Sequence, residues 1–217
     1  MTSPQKFTPA LGYSWLTPLY DTTISLLTRE KTWRRRLLGE IAPQPGQRLL
    51  DVGCGTGSLA VMLAQAQPMV EIHALDPDPS VLARAQRKAG AAGVRITWHE
   101  GFLSDDFVQA QGPFDVITSS LVLHQVAKDE KARIILAMKS ALTPAGKLVI
   151  ADYGFQRTRA MRIAFRATVQ ALDGVTDTQP NADNILPSLM RSSGFASVAE
   201  TAVVSTPTGS ISIYVAS

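Results

Sequence analysis

Cysteine is almost absent from this sequence, and so are long apolar runs. The 217 residues include one cysteine, Cys54, so no disulfide can form within the chain, and we expect a reducing, cytoplasmic location. No stretch approaches 18 uncharged apolar residues, so no membrane-spanning helix is expected. The N-terminal sequence lacks the charged start, apolar centre and cleavage site of a secretory signal peptide.

Metal-ligand spacing and nucleic-acid signatures are missing as well. Neither a cysteine pair nor a cluster of His, Asp and Glu at ligand spacing occurs, so we expect no bound metal. Aromatic residues make up 6% of the chain and do not interleave with the basic clusters. Nucleic acid is therefore not expected as a partner.

Positive charge is small in total, a net +3, but is unevenly placed. Two interpretations remain open: solvated helix faces, or faces that attract an anionic substrate or make peripheral contact with an anionic membrane surface. The two basic clusters are Arg29, Lys31, Arg34, Arg35 and Arg36, and Arg157, Arg159, Arg162 and Arg166.

Short apolar runs alternate with helical stretches from residue 47 onward. This alternation predicts parallel strands joined by helices that cover both faces of a sheet. The predicted strands are 47–53, 70–76, 94–100, 114–122 and 147–153, with helices over 58–67, 80–90 and 128–142 and a turn at 143–146.

The last third has a different pattern. Residues 155–174 predict a basic amphipathic helix with Met161, Phe165, Val169 and Leu172 on one side. A short helix over 184–195 precedes two strands joined by a Pro-Thr-Gly turn, which predicts an antiparallel hairpin. Residues 1–46 lie outside the alternation and are predicted to be a helical cap or packing arm on the 47–217 domain, the two forming one structural unit.

The stretch LLDVGCGTGSLA, residues 49–60, places glycines at every second position after the first strand. Such turns let a ligand approach the main chain, and the following helix N-terminus favours negative charge. A dinucleotide fold requires glycine where Ser58 stands. Asp76, at the end of the second strand, is placed to accept ribose hydroxyls. The pattern therefore favours a nucleoside over a dinucleotide.

With these residues the chain resembles the class I S-adenosylmethionine-dependent methyltransferases of the small-molecule type. The resemblance covers about residues 47–153 through four motifs in order: LLDVGCGTG, ALDPDPSVLARAQ, FDVITSSLVLHQV and LTPAGKLVIAD. It implies an α/β, Rossmann-like, doubly wound and mostly parallel seven-stranded sheet closed by the hairpin. It also implies S-adenosylmethionine as cofactor and in-line SN2 transfer of its methyl group to a small-molecule or lipid-like acceptor.

The resemblance assigns roles to the first and second motifs. Asp51 orders the loop and meets the methionine ammonium group. Asp76 takes the ribose hydroxyls, and Pro77 lies beside the adenine. The backbone of the glycine turn lies against the methionyl group and ribose, and its last glycine lets the helix pack closely. The turn residues are Gly53, Cys54, Gly55 and Gly57, and Cys54 is interpreted as a small filler rather than a reactive thiol.

The residues after the third and fourth predicted strands match the family's pattern less closely than the first two motifs do. Ser119 and Leu121 are expected at the methionine end of the cofactor. Phe102 stands where the family often has an aspartate for the adenine amino group. We expect Phe102 to pack on adenine, with Asp105 or a backbone carbonyl taking the amino group. Residues after the fourth strand lack the Asn/Asp-Pro-Pro-aromatic motif of enzymes that methylate base amines.

The acceptor side depends on His124, which follows the fourth strand. It is the candidate catalytic residue, either as general base or as a group that orients the acceptor. Asp152 and Tyr153 are secondary pocket candidates. Tyr20, with Asp21, resembles the entry segment of quinone-biosynthesis C-methyltransferases, which implies that Tyr20 closes over the cofactor.

Two further functions remain open on sequence alone. One is a non-catalytic protein that binds S-adenosylmethionine or a partner through its basic faces. The other is an NAD-type oxidoreductase, which Ser58 disfavours. His73 and His99, inside strand patterns, are expected to be structural.

Overall fold

The computed structural model describes residues 28–217. The predictions for Tyr20 and Asp21, and for most of the N-terminal cap, lie outside this range. Between residues 28 and 217 no helix is long and apolar enough to cross a bilayer.

A single mixed sheet organises the described chain. Its strand order is β3-β2-β1-β4-β5-β7-β6. Strands β1 to β5 are parallel, and β7 runs antiparallel between β5 and β6. This confirms the predicted doubly wound sheet with its C-terminal hairpin. The strands are β1 Arg48–Val52, β2 Glu71–Asp76, β3 Thr97–Glu100, β4 Phe114–Ser120, β5 Leu142–Tyr153, β6 Val198–Thr206 and β7 Gly209–Ala216.

Helices cover the sheet and fill the connections. A short 3-10 turn, Leu123–Gln125, follows β4 and carries His124. The helices are α1 Glu30–Ile41, α2 Ser58–Ala66, α3 Pro79–Ala92, α4 Asp105–Gln111, α5 Lys128–Ser140, α6 Arg159–Ala167, α7 Val169–Asp173, α8 Val175–Ala182 and α9 Ile185–Ser192.

Two apolar layers hold these helices to the two faces of the sheet. Neighbouring residues of β1 go to opposite sides: Leu49 lies in one layer and Leu50 in the other. Such central strands are apolar on both faces because helices exclude water from both. On α1, Trp33 and Leu37 are fully buried in the same layer as Leu49. The described part of the N-terminal region is therefore packed against the domain.

Several predicted boundaries are wrong for identifiable reasons. Helix α3 continues through Gly90, which lies on its exposed side, and ends at Gly93 in the left-handed conformation, φ 67°. Strand β5 starts at Leu142, so the predicted turn 143–146 lies inside it, at an irregularity in its pairing with β4. Strand β3 starts at Thr97, three residues later than predicted.

The single helix predicted over 155–174 is interrupted at Thr168 and forms two helices in the structure, α6 and α7. Phe165 and Val169 are buried as expected, but Leu172 is 66% exposed. Helices α4 and α8 were not predicted. Helix α8 contains Pro180 within its eight residues, and a proline beyond the first turn argues against a helix.

Candidate active site

The glycine turn connects β1 to α2 at the carboxyl edge of the sheet. Gly53, Gly55 and Gly57 all have positive φ, at 71°, 51° and 70°. A Cβ on Gly57 would lie 2.7 Å from Trp98 and 2.8 Å from Ala85, so close packing requires this glycine. A Cβ on Gly55 would meet no described atom within 4 Å. The turn therefore has a packed side and an open side, and a ligand can reach its backbone from the open side.

Asp76 ends β2 beside this turn. Its carboxylate accepts hydrogen bonds from the backbone N–H of Gly55 at 2.8 Å and of Asp78 at 3.0 Å. Burial raises the pKa of Asp76, although these two hydrogen bonds oppose the rise. A carboxylate has about four acceptor positions, so Asp76 organises the turn with two and keeps two for a ligand. Two adjacent ribose hydroxyls fit that remainder.

Asp51, in β1, is buried, and neither of its carboxylate oxygens has a hydrogen-bond partner among the described residues. Burial raises its pKa to about 7; the charge of Asp76 adds to this rise and Arg34 opposes it. A buried carboxylate without a partner is costly, and a bound cation would remove that cost. The ammonium group of S-adenosylmethionine fits this requirement.

The adenine side is less enclosed. Phe102 follows β3 and is 43% exposed, so its ring is accessible to a ligand. The backbone N–H of Gly101 donates to the carbonyl of Asp76 at 3.1 Å, which places Phe102 next to the proposed ribose site. Pro77, which follows Asp76 in the chain, is half-buried, and Asp105 begins α4 in an exposed position.

Cys54 lies within the turn and is nearly buried. Burial raises the pKa of its thiol, and the nearby Asp51 and Asp76 carboxylates raise it further. The thiol is therefore protonated at neutral pH and is a poor nucleophile. This supports its interpretation as a small filler.

The segment after β4 contacts the glycine turn. A Cβ on Gly53 would lie 2.4 Å from Cγ2 of Val122, so the Val122 side chain already covers that glycine. Leu121 has φ 56°, and its N–H donates to the carbonyl of Ala151. Ser119 lies inside β4, and its hydroxyl donates to the carbonyl of Val52 at 2.8 Å. That hydroxyl joins two strands.

Asp152, in β5, holds the acceptor-side turn in place. One of its oxygens accepts from the backbone N–H of Val122 and Leu123, at 3.1 and 2.7 Å. The other accepts from the Tyr153 N–H and lies 2.8 Å from Nδ1 of His124. Asp152 is completely buried. The His124 ring consequently has a fixed position two residues after Val122, which contacts the glycine turn.

His124 has carboxylates at both ring nitrogens. Its Nε2 lies 3.5 Å from a carboxylate oxygen of Asp173, at the end of α7. Burial alone would lower the pKa of His124, but Asp152 and Asp173 outweigh it and raise the pKa to about 9. The ring is therefore an imidazolium at neutral pH. A general base must be unprotonated, so this geometry favours an orienting role for His124.

Asp173 and Lys131 complete this part of the site and were not singled out from the sequence. Lys131, on α5, is completely buried and donates to the carbonyls of Val126 and Asp177. Burial lowers its pKa to about 8, against the attraction of Asp152 and Asp177. In the sequence Lys131 follows the acidic residues Asp129 and Glu130 at the start of a helix, as is common on solvent-exposed helices. No sequence pattern therefore indicated that Lys131 is buried.

The other two histidines lie together within the sheet. Nδ1 of His73 lies 2.9 Å from Nε2 of His99, and the rings stack with centroids 5.1 Å apart. Nε2 of His73 also contacts Glu71 at 2.7 Å. The burial of His99 and its neighbour His73 lower the pKa of His99. These contacts join strands β2 and β3.

Two open grooves lie on the α6–α9 side of the molecule, with volumes of about 410 and 480 Å³. The first is lined by Arg166, Gln170, Ala171, Val175 and Gln179. Neither lining includes the glycine turn or His124, so we place the candidate site by its chemistry rather than by these grooves.

Comparison with known proteins agrees with this geometry. Residues 49–146 match the family model described as a methyltransferase domain. The chain is similar to a demethylmenaquinone methyltransferase of Thermus thermophilus, 31% identical over 163 residues, which are 73% of this chain and 71% of the relative. The chain belongs to the class I S-adenosylmethionine-dependent methyltransferases. It is therefore an enzyme that uses S-adenosylmethionine, which sets aside the oxidoreductase and the non-catalytic binding protein.

Other relatives are more distant or longer. A ubiquinone/menaquinone biosynthesis C-methyltransferase of Cereibacter sphaeroides is 29% identical over 126 residues, and the chain spans 49% of its length. The solved structure of a magnesium protoporphyrin IX methyltransferase from Synechocystis, with bound S-adenosylhomocysteine, superposes with a TM-score of 0.64. It is 22% identical, covering 87% of this chain and 82% of that one. At that identity the likeness shows the shared fold.

Proposed function

We propose that this methyltransferase acts on a small-molecule acceptor that carries an oxygen-bearing ring system, of the quinone or porphyrin type. The observation that carries this proposal is the enclosed position of His124. Its side chain is 8% exposed, and it lies on a turn that contacts the cofactor loop. A buried acceptor site suits a compact molecule better than a nucleic-acid or protein surface. The names of the relatives above support the same class of acceptor.

We assign the cofactor site to the carboxyl edge of β1, β2 and β4. Asp51 holds the ammonium group, Asp76 holds the ribose hydroxyls, and Phe102 packs on the adenine with Pro77. The backbone of Gly53, Cys54 and Gly55 follows the methionyl chain and ribose, while Ser119 and Leu121 support the methionine end and Gly57 supports α2. Tyr20 stays a proposal that the described residues do not reach. S-adenosylmethionine, when bound, supplies a methyl group activated by the positive charge on sulfur.

The residues of this chain then orient the acceptor for in-line SN2 attack. Asp152 holds the His124 ring rigidly, because three backbone N–H groups fix the carboxylate. The Nε2–H of His124 donates a hydrogen bond to the acceptor and holds it in line with the bond to be broken. Tyr153 packs edge-on against His124, with centroids 5.0 Å apart, and forms part of the apolar wall. Water is excluded by the packing of α7 and α8 against this turn.

We also propose that the segment after β5 contacts an anionic membrane surface, where a lipid-like acceptor would be found. The segment exposes large apolar side chains among arginines, a combination that suits the interface between headgroups and acyl chains. The exposed apolar residues are Phe155, Ile163, Leu172 and Val175. The arginines in the same stretch are Arg157, Arg159, Arg162 and Arg166. Arg157 and Arg162 pair with Glu200 and Asp183, which reduces the charge available to lipids.

Three measurements test the proposed function. Isothermal titration with S-adenosylhomocysteine should show binding that is weakened in Asp76→Ala; absence of binding to the native protein would contradict the cofactor site. Incubation with radiolabelled S-adenosylmethionine and a panel of hydroxylated naphthoquinones, porphyrins and short peptides should label small ring acceptors only.

Flotation with vesicles should show that the protein binds anionic phosphatidylglycerol but not phosphatidylcholine, and Ile163→Asp should weaken this binding. Equal binding to both vesicle types would contradict the electrostatic part.

A further inference from the structure

His124 has one permanent partner and one exchangeable partner. The permanent partner is Asp152, which is fully buried and held by three backbone N–H groups as well as by His124. The second carboxylate, on Asp173, lies farther from the ring, at 3.5 Å against 2.8 Å, and its side chain is 31% exposed. The two contacts therefore differ in length, burial and reinforcement.

Asp173 also lies at a joint in the chain. It is the last residue of α7, and Gly174, which follows it, has φ 83° and ψ 157°, a conformation restricted to glycine. Helix α8 begins immediately afterwards. A change of the Asp173 side-chain rotamer can turn its partly exposed carboxylate to solvent while His124 keeps its contact with Asp152. Solvent would hydrate the released carboxylate at little cost because it is already partly exposed.

Both ring nitrogens of His124 face negative oxygens, so both carry hydrogen, and Nε2 is a cationic donor. Lys131 is the other buried cation of the site, but its ammonium donates to the carbonyls of Val126 and Asp177. If Asp173 turns away, Nε2 is left as a charged donor in a nearly dry site. The group that best satisfies such a donor is another oxyanion.

We propose that Asp173 occupies the place of the acceptor's oxyanion, and that the enzyme selects acceptors with an acidic enol, phenol or carboxyl group, which bind to Nε2 of His124 as the anion. This inference rests on the proposed function and narrows its acceptor class. The acceptor loses its proton to solvent before it binds, so no protein base is required. The electron pair for the new bond to the methyl carbon comes from the oxyanion, directly or through the conjugated carbon beside it. The pair of the broken carbon–sulfur bond stays on sulfur. After attack through carbon, the ring hydrogen leaves as a proton to water.

The test compares anionic probes with neutral analogues that have the same ring system, bound to protein saturated with S-adenosylhomocysteine. One pair is 2-hydroxy-1,4-naphthoquinone and its methyl ether; the other is 2-naphthoate and 2-naphthamide. Each dissociation constant is measured by titration calorimetry at pH 7. The native protein should bind at least one anion about tenfold more tightly than its neutral analogue, the size expected for a hydrogen bond to a charged group. The pair that shows the larger preference distinguishes an enol or phenol from a carboxyl acceptor.

Variants separate this inference from a general attraction for anions. Asp173→Asn removes the competing carboxylate and should tighten anion binding severalfold, with neutral analogues unchanged. Asp183→Asn, which removes the same charge from the same segment at a site where Asp183 pairs with Arg162 and Gln179, should change it less than twofold. His124→Gln should abolish the preference. In the ¹⁵N spectrum of the native protein, the Nε2 resonance of His124 should shift when the anion is added.

Four outcomes would overturn the inference: equal binding of anions and neutral analogues, no binding of either anion, an unchanged preference in His124→Gln, or weaker anion binding in Asp173→Asn. Because S-adenosylhomocysteine binding is measured first, its failure would count against the proposed function. Its success together with any of these outcomes would count against the inference alone.

Discussion

Replacing Asp76 with alanine should weaken cofactor binding without unfolding the protein. In the structure Asp76 uses two acceptor positions for the backbone N–H groups of Gly55 and Asp78, and we assign the remaining two to the ribose. Loss of hydrogen bonds to a charged acceptor costs about 1.5–3 kcal/mol. The dissociation constant of S-adenosylhomocysteine should therefore rise roughly 10- to 140-fold.

Asp78→Ala is the matched control. Asp78 lies two residues later and its carboxylate caps α3 by accepting from the N–H of Ser80 at 2.8 Å. Its removal should cost about 1 kcal/mol of stability, as for other helix caps, while its backbone N–H still donates to Asp76. Cofactor affinity in this variant should stay within twofold of native.

Titration calorimetry gives the dissociation constants, and thermal unfolding followed by circular dichroism shows that each variant is folded. The reasoning would be refuted if Asp76→Ala bound S-adenosylhomocysteine as tightly as the native protein. It would also be refuted if both variants lost affinity in proportion to their lost stability, since Asp76 would then act on the turn alone.

Three other predictions concern packing and protonation. Gly57→Ala forces a Cβ into Trp98 and Ala85 and should lower the free energy of unfolding by about 1–3 kcal/mol. The control Gly39→Ala lies within α1, free of described neighbours within 4 Å, and should raise the free energy of unfolding by about 0.5–1 kcal/mol. Chemical denaturation measures both variants, and equal effects would contradict the packing argument. The pKa of Asp51 is about 7, so S-adenosylhomocysteine should bind up to about tenfold more weakly at pH 6 than at pH 8. Asp51→Asn should remove this pH dependence, and a native affinity that does not vary with pH would count against the contact between Asp51 and the ammonium group. The folded-state pKa of His124, about 9, lies above its unfolded value of 6.5, so its contribution to stability is complete below about pH 6.5 and disappears as pH rises through 9. Over that range the free energy of unfolding, measured in urea, should fall by about 3 kcal/mol more in the native protein than in His124→Gln. Identical pH profiles of the two proteins would refute this prediction.

The glycine turn and the acidic end of β2 could be predicted because their signals are local. Glycines at alternate positions directly after an apolar strand indicate a tight turn, because glycine readily adopts positive φ. Asp76 ends the next apolar strand, whose carboxyl end lies at the same edge of a parallel sheet. The hairpin was equally accessible, since two apolar stretches flank a short Pro-Thr-Gly turn.

The contacts on the acceptor side of the site could not be predicted from local sequence signals. Asp173 and His124 are 49 residues apart, and their contact depends on how α7 and α8 pack, which no periodicity encodes. The break at Thr168 and the helix containing Pro180 are results of tertiary packing that override local propensity. Ser119 shows the same limit: it was predicted at the methionine end of the cofactor, and its bond to Val52 is visible only once β1 and β4 are paired.

Both ends of residues 154–197 are tied to one strand: Tyr153 pairs with Ile211 and Val198 with Ala216, all within the β7 ladder. This stretch carries α6 to α9 and Asp173, but none of the residues that we assign to the cofactor. The residues that we assign to the cofactor, and His124 with its partner Asp152, all precede this stretch, whereas Asp173 and the helices beside His124 lie within it. Substitutions or insertions in 154–197 can therefore change which molecules are methylated, while the β7 ladder keeps the strands beside it in register.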